Sequence, residues 1–175
     1  NGGGKLVVHS LTDGASIEKV GGVVFDAKGK YDPEASRNFL INGHQIIALN
    51  RGSDGNWGRI EVVQSGEKKS TFMHAMYVTD SDSSAAPTVS KIAADGIEGA
   101  VIGNVAAVFR DSAERTSNNV SFKVSGNGEL RYFVAGLETG EWTLTVDGKT
   151  LGTVSAGEGG MAVFAAPAGN VLLAK

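Results

Sequence analysis

The chain has no cysteine, which removes disulfides, thiolate nucleophiles and Cys-based metal sites at once. It has only 3 prolines among 175 residues, against 25 glycines scattered without a triplet period, so a collagen-type repeat is excluded. Aromatic residues make up 7%, so the two tryptophans are scarce material for filling a core. No apolar run approaches the roughly 18 residues that a membrane-spanning helix requires. Excess positive charge is also missing. The formal net charge of −3 and a pI near 5.6 give no broad basic field of the kind that holds nucleic acid.

What is present is a succession of short apolar runs separated by glycine. Glycine supplies the positive φ that tight turns demand, and this spacing predicts an antiparallel β protein. The chain opens with Asn1-Gly2-Gly3-Gly4 and enters a strand-like run directly, so it is expected to be a piece of a longer protein or a trimmed mature product. Lys5–Leu11 and Ser16–Val24 read as strands, the second broken by Gly21-Gly22 as a bulge. Asp26–Asn38 reads as a loop of about a dozen residues, long by the usual standard. Asn42-Gly43 fits a hairpin turn, and Trp57–Val63 with Thr71–Thr79 predicts a second hairpin.

The polar stretch Asp80 to Pro87 is the best boundary. Beyond it, strands are expected near 88–93, 99–102, 106–110, 120–124, 130–134, 142–146, 150–154, 161–165 and 171–173. Asp95-Gly96, Gly126-Asn127-Gly128 and Asp147-Gly148 fit tight reversals. No window sustains helical periodicity. The expected fold is all-β, an antiparallel β-sandwich that could divide into two packed β subdomains. The division is final strands of a sandwich in 1–80, a linker in 81–87 and a C-terminal antiparallel β domain in 88–175.

Residues able to carry chemistry are few. His9, His44 and His74 lie at no metal-binding spacing and are expected to be packed or hydrogen-bonded strand residues. No serine sits in a Gly-x-Ser-x-Gly elbow, and Gly157-Glu158-Gly159-Gly160 lacks the Lys-Ser/Thr of a phosphate loop. No catalytic residue, cofactor site or metal site is therefore assigned. Carbohydrate binding remains, because aromatic rings stack on sugar faces and arginine pairs with carboxylate or sulfate. The candidates are Trp57 with Arg59 on one strand face, and Arg131, Tyr132 and Trp142. The competing reading, which the low aromatic content favours, makes these rings core residues with snorkelling or paired arginines.

Four blocks carry a family resemblance. They are Lys5-Leu6-Val7-Val8-His9-Ser10-Leu11, Ile17-Glu18-Lys19-Val20-Gly21-Gly22, Trp57-Gly58-Arg59-Ile60-Glu61-Val62 and Phe72-Met73-His74-Ala75-Met76. Together they resemble the post-catalytic β-region of heparinase II/III-type polysaccharide lyases over roughly residues 4 to 80. A weaker similarity runs through Tyr132–Leu137, Gly140-Glu141-Trp142, Phe164 and Pro167-Ala168-Gly169. The resemblance implies a parent enzyme that pairs an α/α-toroid with a β-sandwich and performs β-elimination on uronic-acid polysaccharides, in the periplasm or outside the cell. It also implies that the catalytic groups lie upstream of Lys5, so none transfers to this chain. The expected role is a non-catalytic support for that upstream region, its principal partner. The alternative is a carbohydrate-binding module for acidic polysaccharide. No nucleic-acid partner and no membrane span are expected.

Overall fold

The computed structural model describes residues 3–21, 26–30, 32, 37–41, 44–47, 58–66 and 70–175, with 19–21, 37–41, 44–47 and 58–59 described by backbone alone. Among these residues there are thirteen strands and no helix, so the chain is all-β.

Contacts divide it into two units, Asn1–Leu11 with Phe72–Lys175, and Thr12–Thr71. In the second unit, β2 (Ser16–Gly21) pairs antiparallel with β5 (Gly58–Val63), and β3 (Arg37–Ile41) with β4 (His44–Ile47). The expected turn at Asn42-Gly43 and the second glycine of the expected Gly21-Gly22 bulge lie outside the described residues.

In the first unit, β1 (Gly4–Ser10) pairs antiparallel with β6 (His74–Asp80), with Leu6 opposite Val78 and Val8 opposite Met76. The hairpin expected between Trp57–Val63 and Thr71–Thr79 is therefore corrected. Its first arm pairs with β2 and its second with β1. Loop-closure entropy grows only logarithmically with length, so proximity in sequence is a weak guide once a distant strand offers a better apolar register.

The rest of this unit is one seven-stranded sheet. Its strands are β7 (Val89–Ala94), β8 (Ile97–Ile102), β9 (Val105–Arg110), β10 (Val120–Ala135), β11 (Gly140–Val146), β12 (Lys149–Ala156) and β13 (Met161–Ala174). Their order is β11-β12-β13-β10-β9-β8-β7, and β11 pairs a second time, with the far end of β13. All pairings are antiparallel except β9 with β10, where Val105–Val108 run parallel to Arg131–Val134. The chain reaches that parallel register only after Ser112–Asn119 and the first half of β10, which supplies the length a parallel crossover needs.

Period-2 alternation explains the core. Val120, Phe122 and Val124, then Leu130, Tyr132 and Val134, all point inward from β10. They meet Ala106 and Val108 of β9, Trp142 and Leu144 of β11, and Ala162, Phe164, Val171 and Leu173 of β13 in a single buried cluster. The long strands β10 and β13 are each continuous where two strands are expected. Gly126-Asn127-Gly128 is not a reversal but part of a bulge, in which Ser125 to Gly128 oppose Ala168 alone. Gly126 and Gly128 sit at φ 143° and 84°, the same glycine requirement that a turn carries. Asp147-Gly148 does reverse the chain, between β11 and β12, with φ of 47° and 80° as a two-residue hairpin turn requires.

Candidate functional site

The two aromatic candidates with described side chains face inward. Tyr132 is 0% exposed, lies 5.1 Å from Phe164 in a stacked pair, and donates its hydroxyl proton to the Pro167 carbonyl at 2.9 Å. Burial pushes that hydroxyl up to about 12, with a smaller contribution from the Asp147 carboxylate. Trp142 is also 0% exposed and donates Nε1–H to the Glu138 carbonyl at 3.0 Å. Lys175 Nζ lies 5.6 Å from its ring centroid. Neither ring offers a face to solvent. Arg131 is the neighbour of Tyr132 on β10 and so points to the opposite, outer face, where its guanidinium sits 5.0 Å from the Phe133 ring centroid. Trp57 and the side chain of Arg59 lie outside the described residues.

The outer face of the seven-stranded sheet is the feature that sequence reading missed. Residues directly opposite in register share a face. Val163 faces Phe133, Phe133 faces Ala107, and Ala107 faces Ala100, so one apolar row crosses β13, β10, β9 and β8. Met161 opposite Ala135 and Phe109 two residues along β9 widen it. Phe109, Met161 and Val163 are 51%, 43% and 42% exposed. Charge borders this centre. Lys91 and Glu98 form an ion pair at 3.2 Å on one side, and Arg131 stands on another. An apolar centre with a charged rim is the anatomy of a macromolecular contact surface. The signal was present in the consecutive Tyr132-Phe133 and Val108-Phe109, which give a strand an apolar side chain on both faces.

Among the described residues, no three His, Asp or Glu side chains converge as a metal site would require. His9 stacks on Tyr77 at 5.8 Å, and His9 and His74 occupy opposite faces of the β1–β6 ribbon, because His9 is opposite Ala75 and His74 opposite Ser10. No helix among the described residues is long and apolar enough to cross a membrane.

The fold is thus an all-β module with a partly exposed apolar row on the outer face of its sheet. Residues 91–175, just under half of the chain, match the family model for the Heparinase II C-terminal domain. The match is consistent with a heparinase II/III-type C-terminal region, a module associated with polysaccharide lyases. The matched segment contains the Tyr132–Gly169 similarity, whereas the four blocks between residues 4 and 80 lie before it. No curated protein matches the chain.

Proposed function

We propose that this chain is the non-catalytic C-terminal β-region of a heparinase II/III-like polysaccharide lyase, and that it docks by the outer face of its seven-stranded sheet on the catalytic region upstream. The observation that carries this reading is the apolar row from exposed Val163 through half-buried Phe133 and Ala107, flanked by exposed Phe109 and Met161. A sheet already packed on one face leaves such a row in water only at a cost of about 25 cal/mol for each Å² of apolar area, and docking removes that cost. The family match favours the catalytic region of the same protein as the partner. The working division keeps residues 1–80 as the last strands of the lyase sandwich, 81–87 as linker and 88–175 as the C-terminal β domain. The parent enzyme then cleaves uronic-acid polysaccharide by β-elimination, in the periplasm or outside the cell, with every catalytic group upstream.

The test is a Phe109→Asp/Val163→Lys double variant placed in the parent enzyme and in the isolated chain. Both positions are exposed, so the isolated chain should keep its melting temperature, while the parent enzyme loses heat resistance and its two regions separate more readily on mild proteolysis. An unchanged parent enzyme sinks the docking role. The alternative, a binding module for acidic polysaccharide, has Arg131 as its exposed described candidate. It ranks second because the rings of Tyr132 and Trp142 are buried.

A further inference from the structure

A cavity of about 220 Å³, its wall polar and apolar in about equal measure, opens at one end of the seven-stranded sheet. Its walls come from three places: the start of β7 (Thr88, Ser90), the β8–β9 turn (Asn104) and the β10 bulge (Asn127, Glu129). Val101 and Leu130, each 5% exposed, make its apolar floor.

The walls are fixed to one another by the backbone. Gly103 N–H donates to the Thr88 carbonyl at 2.8 Å, tying the turn to β7, and Arg131 N–H donates to the Asn104 carbonyl at 2.9 Å, tying it to β10. The bulge that carries Asn127 is fixed by its glycines, since φ of 143° and 84° at Gly126 and Gly128 is a conformation that side-chain-bearing residues rarely adopt. A bulge costs ladder hydrogen bonds and re-aims side chains, which makes it a usual companion of binding sites. The side chains of Thr88, Asn104, Asn127 and Glu129 make no hydrogen bond or ion pair to another described residue. Their donors and acceptors are therefore open to a ligand in a frame that is already built.

The lining selects among ligand classes. Glu129 is its one ionisable side chain, and no Lys or Arg lines it, so an anion is repelled. A single carboxylate is too few for a tightly held divalent cation, which gathers several charged or carbonyl oxygens. Six polar side chains around the Val101 and Leu130 floor leave too much unpaired polar wall for a purely apolar ligand. Asn amides both donate and accept, hydroxyls do the same, and a carboxylate accepts two neighbouring hydroxyl protons. That set complements a ring bearing adjacent hydroxyl groups. We infer that this cavity binds a single uncharged sugar unit, through Asn104, Asn127 and Glu129, and discriminates against uronic acids. The inference is independent of the docking role, because the cavity and the outer apolar row share no residue.

The experiment is a ¹⁵N heteronuclear NMR titration of the full chain with glucose, galactose, N-acetylglucosamine and glucuronate. The expected result is saturable shifts at Asn104, Asn127 and Gly128 with at least one neutral sugar, and at least tenfold weaker binding of glucuronate. Asn127→Ala should lose the neutral sugar, and Glu129→Gln should narrow the preference for neutral over acidic sugar. Both residues are exposed, and an unchanged spectrum outside the bulge verifies that each variant is folded. No saturable shift with any neutral sugar overturns the inference. So does glucuronate binding equal to that of the neutral sugars, or unaltered binding by Asn127→Ala.

Discussion

Asp147 and Asn170 hold each other by three hydrogen bonds. Asp147 Oδ1 accepts from the Asn170 backbone N–H at 2.8 Å and from Asn170 Nδ2 at 2.7 Å, while Asp147 N–H donates to the Asn170 carbonyl at 2.9 Å. The pair locks the β11–β12 hairpin turn to β13, at a residue held at φ 47°. The backbone bond from Asn170, then its side-chain bond, keeps the Asp147 carboxyl below its ordinary value of 3.8. A carboxyl lowered on folding contributes stability that is fully present above the unfolded value and is lost as pH falls through the folded one. The melting temperature should therefore drop as the pH is taken below about 4. Asp147→Asn keeps the acceptor oxygen without the charge, so its melting temperature should lie a few degrees lower at pH 7 and converge on the parent curve near pH 2. Parallel curves at all pH values would refute this role for the charge.

Tyr132 titrates the other way. Its hydroxyl is raised to about 12, so the unfolded chain releases that proton first, at its ordinary value of 10.0. Stability contributed by the neutral hydroxyl is complete below pH 10 and is lost as the pH climbs toward 12. Tyr132→Phe removes both the alkaline sensitivity and the bond to Pro167. Pro167 is itself exposed, so water can replace the lost donor, which puts the loss at neutral pH near 1 kcal/mol. Urea unfolding at pH 7 and pH 11 measures both effects. An equal gap between parent and variant at the two pH values would contradict the assignment.

Gly99 and Gly157 make a matched pair for testing the packing of the sheet. A Cβ on Gly99 runs into the backbone carbonyl of Ala107 on the adjacent strand, and no rotamer relieves a clash with backbone. A Cβ on Gly157 meets nothing within 4 Å. Gly99→Ala should destabilise by about 2–3 kcal/mol through overpacking. Gly157→Ala should be neutral or slightly stabilising, because it narrows the unfolded ensemble without strain. Comparable denaturation midpoints for the two variants would mean that β8 and β9 lie further apart than described.

The all-β class was legible because short apolar runs alternate with glycine, and the Asp147-Gly148 hairpin because two successive residues must take positive φ there. The same chemistry misleads at Gly126-Asn127-Gly128, since a bulge and a reversal ask the same of glycine. Pairing partners were less legible than strands. Nothing local in His74–Asp80 announces Gly4–Ser10 as its partner, nor does Val105–Val108 announce a parallel neighbour. The candidate surface was hidden for a related reason. Alternation assigns residues to two faces, but which of two apolar faces is covered depends on how the sheet rolls. Tyr132 and Phe133 are adjacent aromatics, and the first is buried in the core while the second lies in the apolar row of the opposite face.

Trp142 gives the most direct optical check on that core. Its ring is fully buried, its Nε1–H is bonded to Glu138, and the C-terminal Lys175 spans from its ring to the Thr139 carbonyl at 2.9 Å. The chain has two tryptophans, so Trp57→Phe isolates the signal of Trp142. In that variant the fluorescence should peak at short wavelength, resist iodide quenching, and move to the red in one cooperative step with urea. Trp142→Ala should remove about 3–5 kcal/mol, because a large ring and its hydrogen bond leave the core together. A long-wavelength, readily quenched emission from the Trp57→Phe variant would show that β11 does not close the sheet against β10 and β13, and the buried cluster would have to be redrawn without it.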